Sequence, residues 1–351
     1  MRKSLIASIG VLAMSTTALT ACSNTEKDPE RYPDKYVNTE LEYQSSFSDI
    51  VKIMKSYFTT ERDAPTPTFD LPIHVMTSEQ LLSEQQDVVY RLGHSSVIMK
   101  LDGQLVMADP VFSDRASPVQ WAGPKRFHKT PISLEDLPQI DVVIISHDHY
   151  DHLDKASVKA LVDKVNHFVV PLKVGDYLVK WGVPKNKITE LAWWESHEVN
   201  GITYTLTPTQ HFSGRGLTDR DSTLWGSWVI NSQQANVFFS GDSGYFGGFA
   251  EIGEKYGPFD FTMIETGAYN KLWSQIHMFP EESVQAHIDV KGKVMMPIHN
   301  STFDLSMHDW HEPMNRALEI SQERGVTMVS PEIGQRLEIH NPTPVKQWWN
   351  Q

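Results

Sequence analysis

Four apolar runs in this chain each end on a histidine or an aspartate. "VVIIS", ending at Ser146, leads straight into His147, His149, Asp151 and His152. "ITYTLTPTQ" is followed by His211, "NVFFSG" by Asp242 and "KVMMPI" by His299. Short runs rich in β-branched and apolar residues, bounded by Gly, Asn and Asp, are the pattern of strands. Strand ends along one edge of a sheet gather in space however far apart they lie in the chain, and ligands of α/β sheets collect there. The fold must therefore bring these four strand ends together. The densest cluster, "HDHYDHLD" at 147–154, holds three histidines and three aspartates in eight residues.

The rest of the pattern is compatible with such a fold. From about Asp87, further β runs follow one another: "VVYRLG", "SVIMKLDGQLVMADP", "HFVVP", "SWVINS", "DFTMIE" and "QRLEIH". Helical patterns lie between some of them. "DKASVKALVDKV" has Asp154 as its N-cap, "PEESVQAHIDV" opens on proline, and "WHEPMNRALEISQERG" closes at Gly325. Strands interleaved with helices predict a layered α/β sandwich. Phe47 to Phe58 carries apolar residues at helical spacing, which predicts an amphipathic helix. Core packing is the favoured role of its apolar face, over a wall for an acyl chain. The expected organisation is a signal segment at 1–21, a tether and N-terminal arm with a helix at 22–86, a catalytic domain at 87–340 and a tail at 341–351. Trp348 and Trp349 in that tail are expected to pack against the body.

The N-terminus has a charged head at Arg2 and Lys3 and an apolar stretch from Leu5 to Met14. Small residues follow, ending in "LTAC". This is the layout of a secretory signal, too short to span a bilayer permanently. Leu-x-Ala-Cys resembles the bacterial lipoprotein signal. The resemblance implies lipidation of Cys22, and Ser23 after it implies a protein of the bacterial cell envelope, anchored in the outer membrane and facing the periplasm. The formal net charge of −13 argues against a nucleic-acid partner. It leaves open an anionic substrate held at a cationic metal.

Cys22 is the only cysteine, so no thiolate zinc site is possible. Any zinc must be held by imidazole and carboxylate. Five histidines and two carboxylates at the four strand ends suffice for two ions. On a tight loop, His147 and His149 can face one ion while Asp151 and His152 turn to the other. Iron or manganese would accept the same donors. Asp109 and His94 are candidates to orient ligating groups, although Asp109, before Pro110, reads equally as a turn residue. His128, His167, His197, His287, His308, His311 and His340 are read as structural.

These segments resemble the metallo-β-lactamase superfamily and, within it, N-acyl-phosphatidylethanolamine phospholipase D and its bacterial relatives. The resemblance runs from about Val88 to Ile339. It includes "RLGHSSV", "ADPVFSDRASP", "GPKRF", "SHDHYDHLD", "TQHFSGRG", "GDSGY", "TGAY", "QIHMFPEESVQAHIDV" and "PIHNSTF". It implies a four-layer αββα sandwich with two zinc ions. His147, His149 and His211 would hold the first ion, Asp151, His152 and His299 the second, and Asp242 would bridge them. A hydroxide between the ions would attack phosphorus or an acyl carbon, oriented by Asp151. Gln275 and His277 would contact the substrate phosphate or leaving group; read alone, His277 is a loop residue. For Tyr150, a substrate hydrogen bond and packing over the site are equal readings. Lys125 and Arg126 read better as a solvated charge pair than as a lipid-phosphate contact. Asn300 and Ser301 depart from the family's pattern and are expected to alter the pocket wall.

Two enzymatic functions fit, and one that is not enzymatic. The first is a two-zinc phosphodiesterase acting on N-acyl phospholipids or related phosphodiesters, at a membrane surface reached through the lipid anchor. The second is a metal-dependent lactonase or carboxylic ester hydrolase, like the ascorbate-6-phosphate lactonase branch. The third is a non-enzymatic envelope lipoprotein, which a missing ligand would signal; none is missing from this sequence.

Overall fold

The computed structural model describes residues 28–43 and 47–350. The expected signal segment, Cys22 included, lies outside the described residues.

Strands β1 (Val88–Gly93), β2 (Ser96–Leu101), β3 (Gln104–Ala108), β4 (Ile140–Ile144), β5 (Val165–Pro171) and β6 (Ile188–Leu191) form the first sheet with β14 (Arg336–Glu338). Its order is β14-β1-β2-β3-β4-β5-β6. The second sheet takes β7 (Ser196–Val199), β8 (Ile202–Thr207), β9 (Ser227–Asn231), β10 (Asn236–Phe239), β11 (Phe261–Glu265), β12 (Val294–Ile298) and β13 (Thr327–Met328). Its order is β13-β12-β11-β10-β9-β8-β7. Seven helices accompany them among the described residues: α1 (Phe47–Thr59), α2 (Ser78–Ser83), α3 (Lys155–Leu161), α4 (Val174–Lys180), α5 (Gly248–Tyr256), α6 (Pro280–Asp289) and α7 (Glu312–Arg324).

Alternation along each strand builds four layers. Val89, Val142, Ile144, Val237, Phe239, Met296 and Ile298 point between the sheets into one core. Their neighbours Val88, Tyr90 and Val143 face α2, α3 and α4 through Leu81, Val158 and Leu178. On the far side, Phe238 and Met295 face α5, α6 and α7 through Phe249, Val284 and Ile320. Strands buried on both faces read as continuous apolar runs rather than alternating ones, which is how the sequence writes them. Each fully buried aliphatic side chain contributes roughly 1.5–3 kcal/mol. The αββα sandwich expected from the sequence is the architecture found.

Strand direction then places the chemistry. β1 and β3 both run antiparallel to β2, and β4 runs parallel to β3. β8 and β10 both run antiparallel to β9, and β11 and β12 follow β10 in parallel. The C-terminal ends of β1, β3 and β4 therefore share one edge of the first sheet. Those of β8, β10, β11 and β12 share one edge of the second.

Helix boundaries follow local chemistry. The Asp154 side chain caps α3 by accepting from the Ala156 N–H at 3.1 Å. Gly325 ends α7 with φ +68°. The sequence pattern did not reveal α2, α4, α5, β6, β7 or β13. α5 is crowded with glycines, and β6 and β7 are four-residue edge strands of mixed polarity.

Two expectations are corrected. α1 does not bury its apolar face in the core: Val51, Met54, Tyr57 and Phe58 are 49, 58, 42 and 87% exposed. It lies outside both sheets, tied by Tyr57 Oη donating to Leu305 O at 2.8 Å, and it contributes Ile53 to a small cluster with Trp273, Ile276 and Met307. Arg126 is not solvated. It is buried, donates through its guanidinium to Val111 O at 2.6 Å, and lies 4.9 Å from the Phe303 ring. Trp348 and Trp349 are buried with Leu71, Trp310 and Met314, as expected.

His287, on α6, is buried with Nδ1 2.8 Å from Thr262 Oγ1, and burial lowers its pKa to about 4. The unfolded chain takes up this proton near pH 6.5, while the folded chain refuses it until about 4. The stability this gives is complete above about pH 6.5 and is lost as pH falls towards 4. We predict that the unfolding free energy of His287→Gln falls by about 2 kcal/mol less than that of the wild type between pH 7 and 4.5. Urea denaturation of the two proteins at both pH values measures this.

Candidate metal centre

The loop after β4 is held before any ion is considered. Asp109, just past β3, accepts the Ser146 N–H at 2.7 Å and the Ser146 hydroxyl at 2.6 Å. The same carboxylate lies 2.7 Å from His152 Nδ1. Its backbone sits in the left-handed region at φ +42°, and the side chain is wholly buried. Asp109 is thus fixed by site geometry and not only by the turn at Pro110. The main-chain N–H groups of His152 and Leu153 both donate to His149 O, which curls the loop. Asp148 turns away from the cluster and accepts from the Gly214 N–H at 2.8 Å. Asp242 follows Gly241, whose φ of +56° and 2.7 Å clearance to Ser146 Cβ leave no room for a side chain.

The strand ends converge as two groups sharing one carboxylate. In the first, His147 Nε2 lies 2.9 Å from His149 Nδ1, which is 3.2 Å from His211 Nε2. In the second, His299 Nε2 and His152 Nε2 lie 3.3 and 3.7 Å from Asp151 Oδ2. Asp242 stands between. Its Oδ2 is 3.8 Å from His147, 3.9 Å from His211 and 3.0 Å from His299, and its Oδ1 is 3.1 Å from His152. Two donors at about 2.05 Å from a tetrahedral ion are about 3.3 Å apart. The separations here bracket that value, and those of 3.7, 3.8 and 3.9 Å are too long for hydrogen bonds. His152 Nε2 and Asp242 Oδ1 are both buried without a hydrogen-bond partner. The residues present therefore fit metal ions.

Electrostatics point the same way. Burial lowers the pKa values of His147, His149 and His211, so these imidazoles are neutral and ready to ligate. Burial also acts against charge on His152 and His299, but the carboxylates around them win. Asp242, Asp151 and Asp109 hold His152 well above its ordinary value, and Asp242 and Asp151 push His299 up to about 10. Asp151 and Asp242 are held well below theirs, against burial, by His152 and His299. Positive charge settles between the carboxylates, where a cation belongs.

Around the donors, His94 Nε2 lies 3.0 Å from Asp151 Oδ2 and orients that carboxylate. His277 Nδ1 lies 2.5 Å from Glu265 Oε1, and Glu265 Oε2 accepts the Ser243 N–H at 2.8 Å. Glu265 is fully buried, and burial raises its pKa. It ends β11 just as the other donors follow their strands, and that regularity could have found it. The cleft over the donors holds about 220 Å³ and is walled by Tyr43, Phe212, Trp273, Ile276 and Leu305. Those aromatic and aliphatic residues gave no sequence signal.

Of the three expected substrate contacts, only His277 lines this cleft. The Tyr150 hydroxyl donates to Arg215 O at 2.7 Å, and its ring sits 4.0 Å from the Arg215 guanidinium, which is the packing reading. Gln275 is exposed, with its backbone against Gly244. Asn300 and Ser301 do not line this cleft; they line a small adjoining cavity that shares Ala268, His299 and Leu305 with it. Both are buried, and Asn300 Oδ1 accepts from Arg91 at 2.6 Å.

Fold and donor set together define a metal-dependent hydrolase of the metallo-β-lactamase fold. The family model described as "Beta-lactamase superfamily domain" matches residues 105–300, and the chain belongs to that superfamily. An uncharacterized protein of Mycobacterium tuberculosis strain H37Rv is 45% identical over 261 residues, covering 73% of this chain and 70% of that protein. N-acyl-phosphatidylethanolamine-hydrolyzing phospholipase D 1 of Caenorhabditis elegans is 37% identical over 268 residues, covering 72% and 75%. Among solved structures, Igni18, a metallo hydrolase of Ignicoccus hospitalis, is similar in fold. Its TM-score is 0.56 at 20% identity, covering 72% of this chain and 98% of that one.

We predict that Asp109→Asn lowers metal affinity about 10–100-fold, since it removes the carboxylate behind His152. Competition with a chromophoric chelator measures this. Wild-type affinity would restrict Asp109 to turning the chain after β3.

Proposed function

We propose that the chain is a two-zinc phosphodiesterase of phospholipase D type, acting on N-acyl phospholipids or related phosphodiesters. One observation carries this reading: two donor groups sharing Asp242 open onto a cleft with an apolar, aromatic wall and one imidazole, His277, on its rim. A wall of Tyr43, Phe212, Trp273, Ile276 and Leu305 offers the apolar surface that an acyl chain needs. The likeness to the nematode phospholipase D supports the same substrate class. The N-terminal signal pattern with Cys22 supports a chain held by lipid at the outer membrane, where such substrates lie.

His147, His149 and His211 would hold one ion and Asp151, His152 and His299 the other, with Asp242 between them. Bound ions would lower the pKa of a water and offset charge on the phosphoryl oxygens. Asp151, ionised and held by His94, would orient the attacking water. With Nδ1 committed to Glu265, His277 has only Nε2 free for the cleft. There it would give a proton to the leaving oxygen as the phosphorus–oxygen bond breaks.

Purified protein loaded with zinc should release the N-acylethanolamine from an N-acyl phosphatidylethanolamine, leaving phosphatidic acid, and cleave bis-p-nitrophenyl phosphate. Asp242→Ala should lose one ion and nearly all turnover. Cleavage of aryl esters or lactones with both phosphodiesters untouched would replace this reading with the ester-hydrolase one. A higher activity on loading with iron or manganese would reassign the metal.

His277→Gln should slow cleavage of alkyl phosphodiesters about 10²–10⁴-fold and of p-nitrophenyl phosphodiesters much less, because p-nitrophenolate leaves without a proton. Equal losses on the two substrates would remove the proton-donor role.

A further inference from the structure

The segment 28–43 lies outside the residues matched by the superfamily model, yet it touches the centre itself. The Asn38 carboxamide grips the peptide of His211 from both sides. Asn38 Nδ2 donates to His211 O at 2.8 Å, and Asn38 Oδ1 accepts the His211 N–H at 3.1 Å. Trp225 Nε1 donates to the same Oδ1 at 3.2 Å, which fixes the orientation of the amide. His211 stands beyond the end of β8, where no strand partner satisfies its main chain, and it is buried. Its ring is anchored separately, with Nδ1 3.0 Å from Ile276 O.

We infer that Asn38 is a positioning residue for the donor His211, so that the N-terminal arm is a working part of the metal centre. The inference rests on the reading of His211 as a metal ligand. A buried N–H and C=O without partners are costly. If Asn38 is lost, water must reach them or the loop must move, and either displaces Nε2 from the position it shares with His147 and His149. The rest of the arm keeps Asn38 in place. Gln210 and Leu41 exchange two bonds, and the Tyr36 N–H donates to Asp221 O at 2.8 Å. Glu40 Oε1 accepts the Gly247 N–H at 2.8 Å, a tie of the arm that reaches neither Asn38 nor His211, which makes Glu40 the natural control.

The test is zinc titration of the metal-free full chain against a competing chelator. Wild type should take up two ions. Asn38→Ala should bind one of them about 10–100-fold more weakly and the other within about threefold of wild type, with Glu40→Ala unchanged. Asn38→Asp keeps the shape and the acceptor but loses the donor to His211 O. It should show a smaller loss at the same ion, and it decides the matter if the alanine variant does not fold. Wild-type binding of both ions by Asn38→Asp and by any folded Asn38→Ala would overturn the inference, as would an equal loss in Glu40→Ala. A wild-type chain that takes up no zinc would instead overturn the ligand reading on which it rests.

Discussion

Carboxylates buried beside imidazoles set the terms for the whole centre. Asp109, Asp242 and Glu265 are almost fully buried, and Asp151 nearly so. The charged groups that draw Asp151 and Asp242 down are histidines, not arginine or lysine. Stripping a carboxylate of water costs several kcal/mol unless charge of the opposite sign returns. In the metal-free chain, imidazolium at His152 and His299 offsets part of this, and divalent ions would take the place of those protons. The two sheets have to supply a rigid frame for a cluster that would otherwise repel itself apart.

That frame is under local strain. His94, Asp109, Ala268, His299 and Ser301 all have positive φ, a conformation each side chain disfavours. Such backbone persists only where its surroundings leave no alternative. Around His299 the restraint is Arg91, whose buried guanidinium donates to Asn300 O and to Asn300 Oδ1. The departure at Asn300 and Ser301 is therefore a brace behind a donor rather than a change in the cleft. It bears on how His299 is held before it bears on which substrate is taken.

The sandwich was legible because strands buried on both faces leave long apolar runs, and because each donor follows its run directly. The same rule applied to "FTMIE" would have singled out Glu265. Positions set by tertiary approach were not legible. Asn38 reaches His211 across 173 residues of sequence, and Tyr43, Trp273 and Leu305 meet only when three loops close over one edge. Tyr150 shows a different limit: its place inside the metal loop suits substrate contact and packing equally, and only the fold shows that Arg215 takes both its ring and its hydroxyl. α1 misled for a related reason. Amphipathic spacing says that a helix has an apolar face but does not say that the body has a surface to receive it.

The donors divide between the sheets. His147, His149, Asp151 and His152 hang from the first, and His211, Asp242 and His299 from the second. An ion held by either group therefore joins two layers that otherwise meet through a shared apolar core and a few hydrogen bonds, among them Arg91 to Asn300 and Trp228 Nε1 to Ile145 O. Ligands that favour the folded chain add stability by mass action, and here that addition falls on the seam of the sandwich. The resistance of the chain to opening is then set partly by its surroundings: where free metal is plentiful the seam is riveted, and where it is scarce the seam rests on its apolar core and hydrogen bonds alone.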